Sequence, residues 1–175
     1  MKRRTFIAGL GSAAAWPVVA WAQQPAVPVV GWLDGPSRRD SVQERLPAFR
    51  KGLAESGYVE GRNVIVEYHW AENNNDRLSA LAADLVRRQV AVIVAATTSA
   101  ALAAKASTQT VPIVFRIGSD PVALGLVASL NRPTGNLTGV ATLSGDIATK
   151  RLALLHELVP AISSIAMLVN SANPS

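Results

Sequence analysis

Cysteine is absent from the 175-residue sequence. This excludes disulfides, thiolate metal sites, cysteine nucleophiles and a lipid-modified N-terminal cysteine. Histidine is scarce, with His69 and His156 alone, and the carboxylates form no close cluster, so we expect no metal site. The apolar runs are too short or too interrupted to span a bilayer.

Nucleotide-binding signatures are either missing or misplaced. No phosphate loop of the G-x-x-x-x-G-K-[ST] type occurs. The pattern G-x-G-x-x-G/A is matched at Gly9–Ala14, but it lies near the N-terminus without a preceding strand, so we discard it. We therefore expect no cofactor.

The charge of the chain does not indicate nucleic-acid binding. The formal net charge is +5, and removing Lys2, Arg3 and Arg4 from the 17 basic residues leaves 14 against 12 acidic ones. The remaining charges are scattered and are not interleaved with aromatic residues. We expect no nucleic-acid partner.

The first 22 residues have the features of an export signal. Lys2–Arg4 supply the positive region, an apolar stretch follows, and Ala20–Ala22 form an A-x-A cleavage site, so the mature chain should begin at Gln23. The R-R-x-F-I spacing of Arg3–Ile7 resembles the twin-arginine export motif, with an ordinary secretory signal as the alternative. Either route implies a partner in the export machinery and a periplasmic location.

Strands and helices alternate along the mature chain. Apolar runs and alternation predict strands at Val29–Leu33, Asn63–Trp70, Val90–Ala95, Ile113–Phe115, Leu137–Val140 and Ile165–Val169, with the second near a sheet edge and the third central. Helical spacing predicts helices from near Pro47 to a cap at Gly57, over Leu78–Arg88, Ala100–Ser107 and Val122–Val127, and over Asp146–Leu158. The alternation predicts an α/β fold with a doubly wound, mostly parallel sheet in three αβα layers.

Six stretches, in this order, resemble the periplasmic substrate-binding proteins of ABC transporters, in the family that includes tryptophan- and tyrosine-binding members. They are the export signal, Gly57–Val64, Leu81–Val86, Asp120–Val122, Gly135–Val140 and Leu154–Pro160.

The resemblance implies two lobes of the type I, flavodoxin-like kind around a cleft, with a solute closed between them by hinge motion. It also implies roughly twice this length. We expect residues 1–22 to be the signal peptide, 23–160 the N-terminal lobe and 161–175 the start of a missing second lobe. The expected function is capture of a small solute, such as an amino acid, for delivery to the permease subunits of an ABC importer, without enzymatic activity.

Three polar turns follow predicted strands, at the carboxyl edge where ligands bind in open α/β sheets. Hydroxyls and backbone N–H groups at helix N-termini suit a ligand carboxylate, and an aspartate suits a ligand ammonium group. Thr98 and Asp120 are also typical helix N-caps, which is the structural alternative. The candidate binding residues are Asp34 and Ser37 in the first turn, Thr97 and Thr98 in the second, and Ser119 and Asp120 in the third.

Two further residues are candidates for ligand contact. Arg116, where the fourth strand meets its turn, could bind a ligand carboxylate with its forked guanidinium, or it could be a surface side chain. Thr138 could face the cleft or be a buried strand threonine.

Two other functions compete with solute capture. An exported enzyme on this sheet, such as a hydrolase, would need a nucleophile–base pair, and neither Ser119 nor Thr98 has a histidine in an obvious partner position. A ligand-sensing lobe of a signalling protein would be accompanied by a DNA-binding module or a membrane span, and the sequence contains neither. Fold analogy alone does not choose among these.

Overall fold

The computed structural model describes residues 27–133, 135–142, 147–161 and 164–166. The predicted export signal lies outside these residues, as does most of the predicted strand Ile165–Val169. The described strands are β1 (Val29–Asp34), β2 (Ile65–Trp70), β3 (Val92–Ala95), β4 (Ile113–Ile117) and β5 (Leu137–Ala141). The helices are α1 (Arg38–Glu55), α2 (Leu78–Arg87), α3 (Thr98–Ser107) and α4 (Ala148–Leu158), with a short 3₁₀ turn at Asn75–Arg77.

The five strands form one sheet in the order β2-β1-β3-β4-β5. Every neighbouring pair is parallel, which confirms the predicted sheet. The predicted edge position of β2 and the central position of β3 are also confirmed. The chain moves from β1 to one side for β2 and to the other side for β3, so the topology reverses between β1 and β3.

Two apolar clusters lie on opposite faces of the sheet and confirm the three layers. One cluster joins α2 and α3 to residues such as Leu33, Ile93 and Phe115. The other joins Leu46 of α1 to Trp32 on the opposite face. None of the helices in the described ranges is long and apolar enough to cross a membrane.

Within the described residues, the α1 side of the sheet is uncovered at β4 and β5. Phe115 is 4% exposed on the face that packs against α2 and α3, whereas Val114 beside it is 40% exposed and Val140 of β5 is 64% exposed. The apolar stripe predicted for α4 is also exposed, at Leu152, Leu155 and Leu158. The apolar side chains of α4 are therefore not part of either described cluster.

The predicted start of α1 near Pro47 is wrong. The helix begins nine residues earlier, at Arg38, and Pro47 lies inside it. A proline within a helix removes one backbone hydrogen bond and crowds the preceding turn. Helix α1 continues through it because Leu46 is buried against the sheet, with Phe49 and Leu53 packed alongside. The predicted cap at Gly57 is confirmed by its φ of 85°.

The predicted helix Val122–Val127 is also wrong. This segment is a series of tight turns, with hydrogen bonds from the Gly125 N–H to the Val122 carbonyl and from the Leu126 N–H to the Pro121 carbonyl. Gly125 has a φ of 66°, which an α-helix cannot contain. The side chain of Lys105 on α3 donates to the Gly125 carbonyl and attaches the turn to that helix.

Close packing of α2 on β1 requires a glycine. A methyl group on Gly31 would lie 2.7 Å from Cδ2 of Leu85 and 3.0 Å from its Cδ1. Leu85 is completely buried, so its side chain has no open space to move into.

We expect Gly31→Ala to lower the free energy of unfolding by about 1–3 kcal/mol, because the added methyl overpacks Leu85. Gly52→Ala is the matched control, since Gly52 lies in α1 with nothing within 4 Å of its methyl position. This control should raise stability by about 0.5–1 kcal/mol through helix propensity. Urea denaturation measures both, and equal effects of the two changes would contradict the packing argument.

A polar cluster attaches the edge strand β2 to α1. The Tyr68 hydroxyl donates to Glu60 at 3.0 Å, and Arg50 donates to the same Glu60 oxygen at 2.7 Å and to the Tyr68 hydroxyl at 3.1 Å. The Tyr68 ring stacks on Trp70 with centroids 5.3 Å apart. Burial, and next the hydrogen bond to Glu60, raise the pKa of Tyr68 above its ordinary value.

In a Tyr58→Phe variant, which retains Tyr68 as its one tyrosine, tyrosinate absorbance should titrate at higher pH in the folded chain than in the urea-unfolded chain. A raised pKa means that Tyr68 stabilises the fold fully below about pH 10, the unfolded value. That contribution is lost as the pH rises through the folded pKa. Identical midpoints in the two states would show that the cluster does not hold the neutral phenol.

Candidate functional site

The polar residues of the candidate site lie at the carboxyl edge of the sheet, around the point where the topology reverses. In sheets of this strand order, ligands bind at the reversal between the first and third strands in the sequence. Here that position is flanked by the turn after Asp34 of β1 and the turn after Ala95 of β3. The end of β4 is one strand further along.

Asp34 occupies the last position of β1 and is completely buried. Its carboxylate accepts two hydrogen bonds from Nη1 of Arg45, at 3.2 Å to Oδ1 and 3.1 Å to Oδ2. Arg45 lies on α1, so this ion pair joins the end of β1 to the helix that follows it. The charge of Asp34 is therefore compensated within the chain, and a role in holding a ligand ammonium group remains a prediction.

Three chain segments converge next to Asp34. A methyl group built on Gly35 would lie 3.3 Å from Oδ1 of Asn75 and 3.4 Å from Oγ1 of Thr97. The loop after β2 is held against this turn, because the Asn73 N–H donates to the Gly35 carbonyl at 2.9 Å. The turns after β1, β2 and β3 therefore form one polar surface.

The second turn starts α3, and its cap differs from the prediction. Thr97, rather than Thr98, is the N-cap, with φ of −141° and a side chain that accepts from the Ala100 N–H at 3.4 Å. Thr98 is already helical and buried at 8% exposure. The cap falls at Thr97 because that residue has the extended backbone that an N-cap needs.

The third turn follows β4 and contains Ser119 and Asp120, both half-buried. Oδ1 of Asp120 accepts from the Val122 N–H at 2.8 Å. This is a local Asx turn and not a helix cap, because no helix follows. The predicted alternative, that Asp120 is a helix N-cap, is therefore wrong, although its side chain does accept a backbone hydrogen bond.

The other predicted residues lie at different places. Ser37 directly precedes α1 at the first turn. Arg116 and Thr138 are exposed, and both project from the uncovered face of β4 and β5 rather than from the edge. The alternative of a buried strand threonine at Thr138 is wrong, because Thr138 is exposed and no described helix of the α1 layer extends over β5. Ligand contact by these three residues stays a prediction.

Two residues of this surface were missed by the sequence reasoning. Gly35 leaves the space that the side chains of Asn75 and Thr97 border. Asn75 belongs to the polar run Asn73–Asp76, a fourth polar turn after a strand. That turn could have been included with the other three from its position alone, but its placement beside Gly35 depends on the strand order.

The arrangement suits recognition of a small polar molecule. The first turn of α3 presents backbone N–H groups and the positive end of the helix dipole, which favour an anionic group such as a carboxylate. Asp120 places a carboxylate at the neighbouring strand end. The ends of β1, β3 and β4 span about 10 Å, two strand spacings, which is the scale of a small organic solute.

A family model described as ABC transporter substrate binding protein matches residues 26–175. The chain belongs to this family. The match covers the whole described sheet and all three turns of the site.

The chain is also similar to individual proteins of known name or structure. A curated tyrosine-binding protein from Clostridioides difficile is 32% identical over 133 residues, which are 75% of this chain and 38% of that protein. A conserved domain protein of Vibrio cholerae has a TM-score of 0.74 at 29% identity, over 84% of this chain and 49% of that one. An ABC domain from Streptococcus pneumoniae, solved with L-Trp, has a TM-score of 0.58 at 27% identity, over 65% and 38%.

The chain matches only part of the length of these relatives. The chain spans between 38% and 49% of the length of these three. The similarity of this chain to the two solved structures confirms the α/β fold predicted from the sequence.

We expect Arg45→Met to lower the free energy of unfolding by about 3 kcal/mol, because it removes the Arg45 guanidinium from the buried carboxylate of Asp34. Lys51→Met on the same helix is the control, since Lys51 is 78% exposed and pairs with Glu55 at 3.8 Å. Exposed pairs of this kind contribute a few tenths of a kcal/mol. Urea denaturation of both variants is the measurement, and a loss for Arg45→Met no larger than for Lys51→Met would show that the ion pair does not stabilise this edge.

Proposed function

We propose that this protein captures a small organic solute of the amino-acid class at the carboxyl edge of its sheet and delivers it to the permease of an ABC importer. The observation that carries the proposal is the convergence of Gly35, Asn75 and Thr97 beside the N-terminus of α3. Membership of the substrate-binding family supports it. So do the relatives named for tyrosine and solved with L-Trp.

The chemistry of the edge matches the two charges of an amino acid. The N–H groups at the start of α3, with the hydroxyls of Thr97 and Thr98, would hold the carboxylate. Asp120 would hold the ammonium group, with Ser119 beside it. Binding of this kind needs no covalent step, so we propose capture and release without turnover.

We also propose that residues 1–22 direct export to the periplasm through the twin-arginine route, with cleavage after Ala22. Residues 23–160 would form one of two lobes around the solute, and residues 161–175 would begin the second. The support is the R-R-x-F-I spacing and the greater length of the relatives.

We expect L-tyrosine or L-tryptophan, added to the ¹⁵N-labelled chain, to shift backbone amide signals at Gly35, at Thr97–Ala100 and at Ser119–Val122. Asp120→Asn should weaken this binding at least tenfold, because it removes the charge that faces the ammonium group. The amide oxygen of asparagine can still accept from the Val122 N–H, so the turn is preserved.

Glu55→Gln is the matched control, because it removes an exposed carboxylate at the far end of α1. It should leave the affinity unchanged. Equal affinities of the Asp120→Asn and Glu55→Gln variants, or no amide shift at the edge with millimolar amino acid, would refute the proposal. New product signals in one-dimensional proton spectra of the same samples would support the enzyme instead.

A further inference from the structure

Consecutive hydrogen bonds link the body of α3 to the carboxylate of Asp120. The side-chain ammonium of Lys105, in the last turn of α3, donates to the Gly125 carbonyl. The Gly125 N–H donates to the Val122 carbonyl at 2.9 Å, and the Val122 N–H donates to Oδ1 of Asp120 at 2.8 Å. The helix and the carboxylate are therefore connected through the turn that follows β4.

This turn segment is anchored by burial at both ends and is exposed in its middle. Pro121 and Leu126 are buried, whereas the side chain of Val122 between them is 39% exposed. Gly125 has no side chain with which to pack, so at this position the bond from Lys105 supplies an attachment to α3. A hydrogen bond from a charged donor is stronger than one between neutral groups, which suits it to hold an exposed segment.

The orientation of Asp120 leaves one carboxylate oxygen for a ligand. Oδ1 accepts from the Val122 N–H, and within the described residues Oδ2 has no hydrogen-bond partner. A carboxylate that is fixed through one oxygen presents the other in a defined direction. That direction depends on the position of the Val122 N–H, and hence on the turn that Lys105 holds.

The same helix supplies the other half of the proposed site. The first turn of α3, after its cap Thr97, presents the N–H groups that would hold the solute carboxylate. Asp120 follows the neighbouring strand β4, and adjacent strands lie about 5 Å apart. Binding groups need to be held within about 0.5 Å of the productive geometry, and a segment that is already ordered costs less to order on binding.

We infer that Lys105 is a positioning residue for solute capture, because it fixes the turn after β4 to α3 and so sets the separation between the N-terminus of α3 and Asp120. The inference rests on the proposed function, since it requires that these two groups hold the two charges of one solute. Lys105 lies about 12 Å along the helix axis from the cap Thr97, at a rise of about 1.5 Å per residue. It would therefore act through the turn and not by contact with the solute.

The test compares two ligands on the full chain. L-Tryptophan carries both charges, whereas 3-indolepropionate has the same ring and a carboxylate but no ammonium group. Lys105→Met removes the donor and keeps an unbranched stem, and Lys105→Arg restores a cationic donor. Calorimetric titration should show L-tryptophan binding at least threefold weaker in Lys105→Met and within twofold of the unaltered chain in Lys105→Arg. Binding of 3-indolepropionate should stay within twofold in both variants, because it does not need Asp120.

Lys51→Met is the matched control, since Lys51 is exposed on α1 and pairs with Glu55 at the surface. It should change neither affinity. Amide hydrogen exchange gives a second readout that needs no ligand. The Val122 and Gly125 amides should exchange at least threefold faster in Lys105→Met, and at the original rate in Lys105→Arg and Lys51→Met.

The outcomes separate this inference from the function on which it rests. If Asp120→Asn weakens L-tryptophan binding and Lys105→Met does not, solute capture stands and Lys105 is not a positioning residue. Equal losses for both ligands in Lys105→Met, or no rescue by Lys105→Arg, would show a general structural effect and would also overturn the inference. If L-tryptophan does not bind to the unaltered chain, both proposals fail. A selective loss of L-tryptophan affinity that Lys105→Arg restores would establish the positioning role.

Discussion

Burial of β1 on both faces is the constraint on which the rest of the structure depends. Five of its six residues are buried, with Trp32 packed on Phe49 of α1 at 4.9 Å between ring centroids and Gly31 directly under Leu85 of α2. A strand in this position needs helices above and below it. Right-handed crossovers supply them, since β1-α1-β2 and β2-α2-β3 move in opposite directions across the sheet and place their helices on opposite faces.

The same reversal creates the candidate site. Because β2 and β3 lie on either side of β1, the turns after all three strands meet at one edge, and Gly35 leaves room beside it for the side chains of Asn75 and Thr97. The ion pair between Asp34 and Arg45 holds the end of β1 to α1 at this edge. The polar surface is thus a product of the strand order, and its width of a few strand spacings suits a small solute.

Periodicity predicted the strands and helices well where packing follows the sequence period. It predicted them less well where a single residue determines whether a helix continues or ends. Alternation in Asn63–Trp70 and the continuous apolar run Val90–Ala95 identified an edge and a central strand. Pro47 misled the prediction of α1, because the burial of Leu46 outweighs the lost hydrogen bond. The prediction of a helix over Val122–Val127 failed in the opposite direction, since the positive φ of Gly125 ends any helix in that segment.

The sequence by itself determined the alternation of strands and helices, the parallel sheet, the family and the three polar turns, because these depend on local pattern and on motifs in order. Tertiary structure alone decided that Asn75 joins the site, that Asp34 is compensated by Arg45 and that Arg116 and Thr138 lie on an exposed face. The physical reason is that local pattern specifies which residues alternate or recur, whereas the order of strands and the reach of each helix layer specify which of them meet.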